Sequence, residues 1–90
     1  MIKLEKIVGT WESVNLNPTV MIYRSYGGAY HLIIIELNEH SRQAHISEYE
    51  IEQDLDKECY IHTYSGQKNL NYNSLNDTIT ISTMGEYMRN

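Results

Sequence analysis

Apolar and polar residues alternate along most of this chain with a period of two, the spacing of a strand with one buried and one wet face. The clearest case is Thr78 to Thr83, where Ile79, Ile81 and Thr83 alternate with Thr78, Thr80 and Ser82. Earlier, Ile7, Gly9 and Trp11 fall on one side, with Val8, Thr10 and Glu12 on the other. Breaks rich in Asn, Gly, Pro and Asp fall at Asn15–Pro18, Tyr26–Ala29, Asn38–Arg42, Gln53–Lys57, Ser65–Gly66 and Asn73–Asp77. That spacing predicts strands near 7–14, 19–25, 29–37, 43–51, 58–64, 67–72 and 77–83, consecutive and antiparallel. The expected fold is all-β: an antiparallel meander closing into a small barrel of about seven to eight strands. Residues 1–6 read as an extended lead-in or a short helical turn.

Composition supports strands. Eleven Ile, eight Tyr and only two Ala favour sheet over helix. Ninety residues, 1–90, suffice for one domain. The single Cys59 has no partner for an internal disulfide, and no export leader or long apolar run is present, so the reading is cytoplasmic with no membrane contact. A formal charge of −5 repels phosphate backbones, which sets nucleic acid aside as a partner.

Gly9-Thr10-Trp11 opens the first strand, where a missing Cβ lets another backbone or an indole come close. The placement resembles the Gly-x-Trp motif of lipocalins and related calycins. That resemblance implies that Trp11 closes one end of a barrel, with Arg89 near the chain's end as its lid. A guanidinium over an indole gains about 0.5–2 kcal/mol. Gly9, Trp11 and Arg89 are thus the residues expected to close the barrel. A wider resemblance covers Trp11-Glu12-Ser13, the Tyr23 to Tyr30 hairpin, Tyr60 to Gly66 and Thr78 to Arg89. These stretches look like short lipocalin-like proteins encoded on conjugative transposons, a family that brings a genetic setting and a fold but no assigned activity.

The stretch Tyr30–Leu37 is largely apolar on both faces, with Tyr30, Leu32, Ile34 and Glu36 on one and His31, Ile33, Ile35 and Leu37 on the other. A small barrel should wet one of them, so the terminal segments 1–6 or 85–90 must cover it, or a second copy must, as a two-fold homodimer. Three such side chains contribute roughly 4–9 kcal/mol before association costs. Tyr26 and Tyr30 flank the Gly27-Gly28 turn, either as an anchor for a protein partner or as a cross-strand pair.

Other chemistry is thin. Glu48, Glu50, Glu52, Asp54, Asp56 and Glu58 alternate around an expected hairpin tip near residue 55, as a solvated edge, a contact rim or a hard-cation site. That register sets His62 opposite residue 47 or 48 and diagonal to His45. The histidines lack zinc spacing, and Cys59 beside Glu58 lacks an electropositive setting, so no metal, cofactor or catalytic residue is assigned. The chain reads as a non-enzymatic binding or protein-interaction module whose partner side is Tyr26, Tyr30, Ile33 and Ile35. The alternative is a carrier of a small apolar ligand with Trp11, Ile34, Ile79 and Ile81 as barrel wall, although strands this short favour a filled interior.

Overall fold

The computed structural model describes residues 3–56 and 58–90. Met1 and Ile2 of the expected lead-in, and Lys57 of the expected turn at 53–57, lie outside the described residues. Among the described residues, nine strands form one antiparallel sheet that curls into a nearly closed barrel. They are β1 (Gly9–Ser13), β2 (Thr19–Arg24), β3 (Tyr30–Asn38), β4 (Gln43–Glu50), β5 (Glu52–Gln53), β6 (Cys59–Thr63), β7 (Gly66–Asn73), β8 (Thr78–Ile81) and β9 (Gly85–Arg89). Before β1, Leu4–Lys6 make one 3-10 turn.

The strand order is β4-β3-β2-β1-β9-β8-β7-β6-β5, so the first strand pairs with the last. Trp11, Glu12 and Ser13 stand opposite Arg89, Met88 and Tyr87. The meander is therefore two hairpin stacks, β1–β4 and β5–β9, sealed by their terminal strands. The seam lies opposite: β4 and β6 touch there, and no ladder joins them among the described residues.

The C-terminal segment departs from expectation. Gly85–Arg89 forms β9 between β1 and β8 rather than covering the outer face of β3. Its alternation is hidden in sequence because only Tyr87 faces the core, while Glu86, Met88 and Arg89 are exposed. The two-residue β5 was also illegible, since it lies where charges and a turn signal dominate. β6 pairs with β7 on one edge and with β5 on the other, so the edge expected to meet β4 is taken by β5. His62 accordingly lies 3.4 Å from Glu52, not across from residue 47 or 48.

Inside, Ile7, Trp11, Val20, Ile22, Leu32, Ile51, Cys59, Ile61, Leu70, Ile79, Ile81 and Tyr87 make one core. Every strand from β1 to β9 except β4 and β5 sends at least one buried side chain into it. The β3–β4 hairpin stands out from this body, exposed throughout 36–46. Its tip is set by Asn38, whose Oδ1 accepts the amides of His40 and Ser41.

Tyr87 carries the seal between the stacks. Its ring is fully buried, and its hydroxyl donates to Pro18 O at 2.8 Å, across the β1–β2 turn. Burial pushes the phenol up to about 12. Tyr87→Phe should lower unfolding free energy in urea by about 0.5–1.5 kcal/mol, the net value of one hydrogen bond. Trp11→Ala, which hollows the core, should cost about 3–5 kcal/mol in the same measurement.

Candidate functional site

Two regions hold the residues singled out by sequence: the plugged end of the barrel and the outer face of β2–β4. At the plugged end, Trp11 is fully buried and its Nε1 donates to Ile7 O at 2.8 Å. Arg89 reaches over the indole, with Cζ 4.3 Å from the ring centroid. Its Nη1 donates to Val8 O at 2.7 Å and its Nη2 to Lys6 O at 2.6 Å, satisfying carbonyls of the irregular lead-in that have no strand partner. Asp77 takes the rest of the fork, from Nε at 2.8 Å and Nη2 at 3.1 Å.

Gly9 is what lets the guanidinium through. A Cβ there would stand 2.9 Å from Nη1, and φ is +141°. The close approach expected at this glycine is thus made by an arginine side chain rather than by a backbone or an indole. Tyr72 completes the group: its hydroxyl donates to Asp77 Oδ1 at 2.7 Å, and its ring stands nearly perpendicular to the Trp11 indole with centroids 6.4 Å apart. Arg89, and after it the Tyr72 hydroxyl, hold the Asp77 carboxyl below its usual value. The same Asp77 raises both the Tyr72 phenol and the Arg89 guanidinium. Sequence reading found Gly9, Trp11 and Arg89 and missed Asp77 and Tyr72, which looked like an ordinary turn and a strand aromatic.

The four residues read as a ligand wall lie in one cluster. Trp11, Ile79 and Ile81 are buried, and Ile34 packs against them half-buried. They touch the same core that Ile7, Leu70 and Tyr87 fill, so their side chains serve packing first.

Register fixes what the other face shows. Val20, Ile34 and Ser47 form one cross-strand row and Ile22, Leu32 and Tyr49 another, both directed inward. The intervening rows, Met21–Ile33–Glu48 and Thr19–Ile35–Ile46, therefore point out. Leu37 and Ile46 are 65% and 62% exposed, and Ile33 and Ile35 are half-buried among them. Beyond this stripe, Tyr23 stacks on His31 at 5.3 Å, its hydroxyl donates to Glu48 Oε2 at 2.9 Å, and His31 Nδ1 lies 3.4 Å from the same oxygen. That hydrogen bond raises the Tyr23 phenol. The two rings flanking the Gly27-Gly28 turn part company: Tyr26 is fully exposed, whereas Tyr30 turns inward against the core.

Two other titratable side chains, those of Asp54 and Cys59, sit in defined local surroundings. Asp54 Oδ1 accepts the amides of Asp56 and Glu58 and so shapes its own turn. Cys59 is buried, and desolvation, followed by Glu58 and Asp54, pushes its thiol up. Among the described residues, no three His, Cys, Asp or Glu side chains gather as metal ligands, and no helix is long and apolar enough to cross a membrane.

Against protein families, residues 1–89 match the model described as "Domain of unknown function, B. Theta Gene description (DUF3876)". The chain belongs to that family. No curated protein matches it, and no solved structure does.

Two substitutions probe the plug. Gly9→Ala should cost about 1–3 kcal/mol of stability, because an alanine is strained at that φ and its methyl displaces Arg89. Asp77→Asn tests the electrostatics. A carboxyl held below its ordinary 3.8 stabilises the fold above that value and loses the effect as pH falls through its folded-state pKa. Melting temperature should thus drop more steeply below about pH 4 in the parent than in Asp77→Asn.

Proposed function

We propose that the chain, as a member of a family with no assigned activity, is a non-enzymatic protein-interaction module whose contact surface is the outward face of β2, β3 and β4. The observation that carries this reading is the apolar stripe Met21, Ile33, Ile35, Leu37 and Ile46, continuous across three neighbouring strands on the side that faces water. A contact area of this kind typically has an apolar centre inside a polar rim. Here the rim is acidic. The outward positions of β1–β4 include Glu12, Glu48 and Glu50 and no Lys or Arg.

That charge pattern favours a partner segment with apolar residues at its centre and basic residues at its flanks. It works against a two-fold pairing of the face with itself, which would bring acidic rims together. The protruding 36–46 hairpin offers Leu37 and Ile46 as the side chains a partner meets first. We further place the barrel among lipocalin-like folds, supported by Gly9-x-Trp11 at the start of β1 and by Arg89 over the indole. The resemblance to proteins of conjugative transposons supports a role on a mobile element. Carriage of a small apolar ligand is the weaker reading, because Trp11, Ile79 and Ile81 already pack on one another and on the rest of the core.

A photo-crosslinker at position 37 in the native host identifies what lies on the hairpin, and the captured partner is then purified for titration. We expect a basic, apolar-centred segment, a parent particle of 10.5 kDa on its own, and a loss of affinity of about tenfold or more in Leu37→Glu or Ile46→Glu with an unchanged fold. Crosslinks only to a second copy, with a particle of twice the mass, would replace the partner by a homodimer.

A further inference from the structure

The plugged end also carries two charges that the closure does not use. Lys3 precedes the 3-10 turn in an extended conformation, and Lys6 ends it. The turn is held in place. Lys6 N donates to Lys3 O at 2.8 Å, and Arg89 fixes the Lys6 carbonyl. With Tyr72 and Ser74, at the end of β7, the two lysines line a cleft of about 410 Å³.

No described carboxylate lies within ion-pair distance of either ammonium. The neighbouring acid, Asp77, is engaged by Arg89 and by the Tyr72 hydroxyl. Two lysines without an ion-pair partner among the described residues thus line one cleft in a chain whose formal net charge is −5. Their mutual repulsion is relieved by an anion between them. The Tyr72 hydroxyl donates its hydrogen bond to Asp77, so Tyr72 offers the cleft an aromatic wall, while Ser74 offers a hydroxyl that can donate.

A terminal phosphoryl group fits these donors. It is close to a dianion at neutral pH and carries three strong acceptor oxygens, enough for two ammoniums and a hydroxyl. We propose that the cleft formed by Lys3, Lys6, Tyr72 and Ser74 binds the phosphoryl group of a small phosphate monoester. The site lies at the plugged end, among side chains distinct from the outward stripe on β2–β4, so it stands or falls independently of the interaction surface.

Titration with glycerol 3-phosphate at constant ionic strength, followed by backbone amide shifts, tests it. Saturable shifts at residues 3–7 and 72–74, with a dissociation constant of about 1 mM or tighter, are expected. Lys3→Gln and Lys6→Gln should each weaken binding about tenfold, with Lys68→Gln as the unchanged control. Shifts that stay linear, or that persist in the Lys3→Gln, Lys6→Gln double variant, would overturn the proposal. Vesicles of phosphatidylcholine with phosphatidic acid separate the two sources of such a group: binding to them without binding glycerol 3-phosphate assigns the cleft to a lipid headgroup and overturns the small-molecule form.

Discussion

One arginine in the last strand lies over the single tryptophan in the first, and the fold depends on that contact. The β1–β9 ladder is what turns two separate hairpin stacks into one nearly closed wall, and it joins residues nearly the whole chain apart. Such a pairing must offset a large loop-closure entropy before it contributes anything. Arg89 helps by acting in four directions at once: on the indole face, on two lead-in carbonyls and on Asp77. Gly9 makes room for it, and Tyr87, two residues before it, adds a buried ring and a hydrogen bond to Pro18. Removing any of these weakens the same join.

The plug and the outer face divide the molecule electrically. The lead-in segment brings Lys3 and Lys6 to a cleft beside Tyr72, with Asp77 already taken by Arg89, whereas the outward side of β1–β4 carries acids and aliphatic side chains. Between them sits a core in which Trp11, Tyr87 and nine other large or medium side chains are almost wholly removed from water. A protein this small gains most by filling its interior, which leaves surfaces and end clefts as the places where binding can be added without loss of stability.

Much of this was legible in the residue pattern, for identifiable reasons. Period-two alternation is strong where one face is aliphatic, so β1–β4 and β6–β8 stand near their expected limits, and Gly9-x-Trp11 with Arg89 marked the plug. The pattern failed where side chains do not report the backbone. In β9 only Tyr87 faces the core, and β5 is two polar residues long, so neither produces a hydrophobic signal. The register around residue 55 failed with β5, because that two-residue strand, and not β4, takes the edge of β6 that β7 leaves open. Asp77 and Tyr72 were hidden for another reason: nothing local tells a turn aspartate from one that will meet an arginine twelve residues on.

The most direct test of the join is hydrogen exchange at the Trp11 indole N–H and at the amide of Asn90, which donates to Thr10 O across the β1–β9 edge. In the parent both should be strongly protected, and Arg89→Lys, which keeps the charge but not the fork, should speed both together. Equal protection in the two proteins, or an indole that exchanges freely in the parent, would contradict the account.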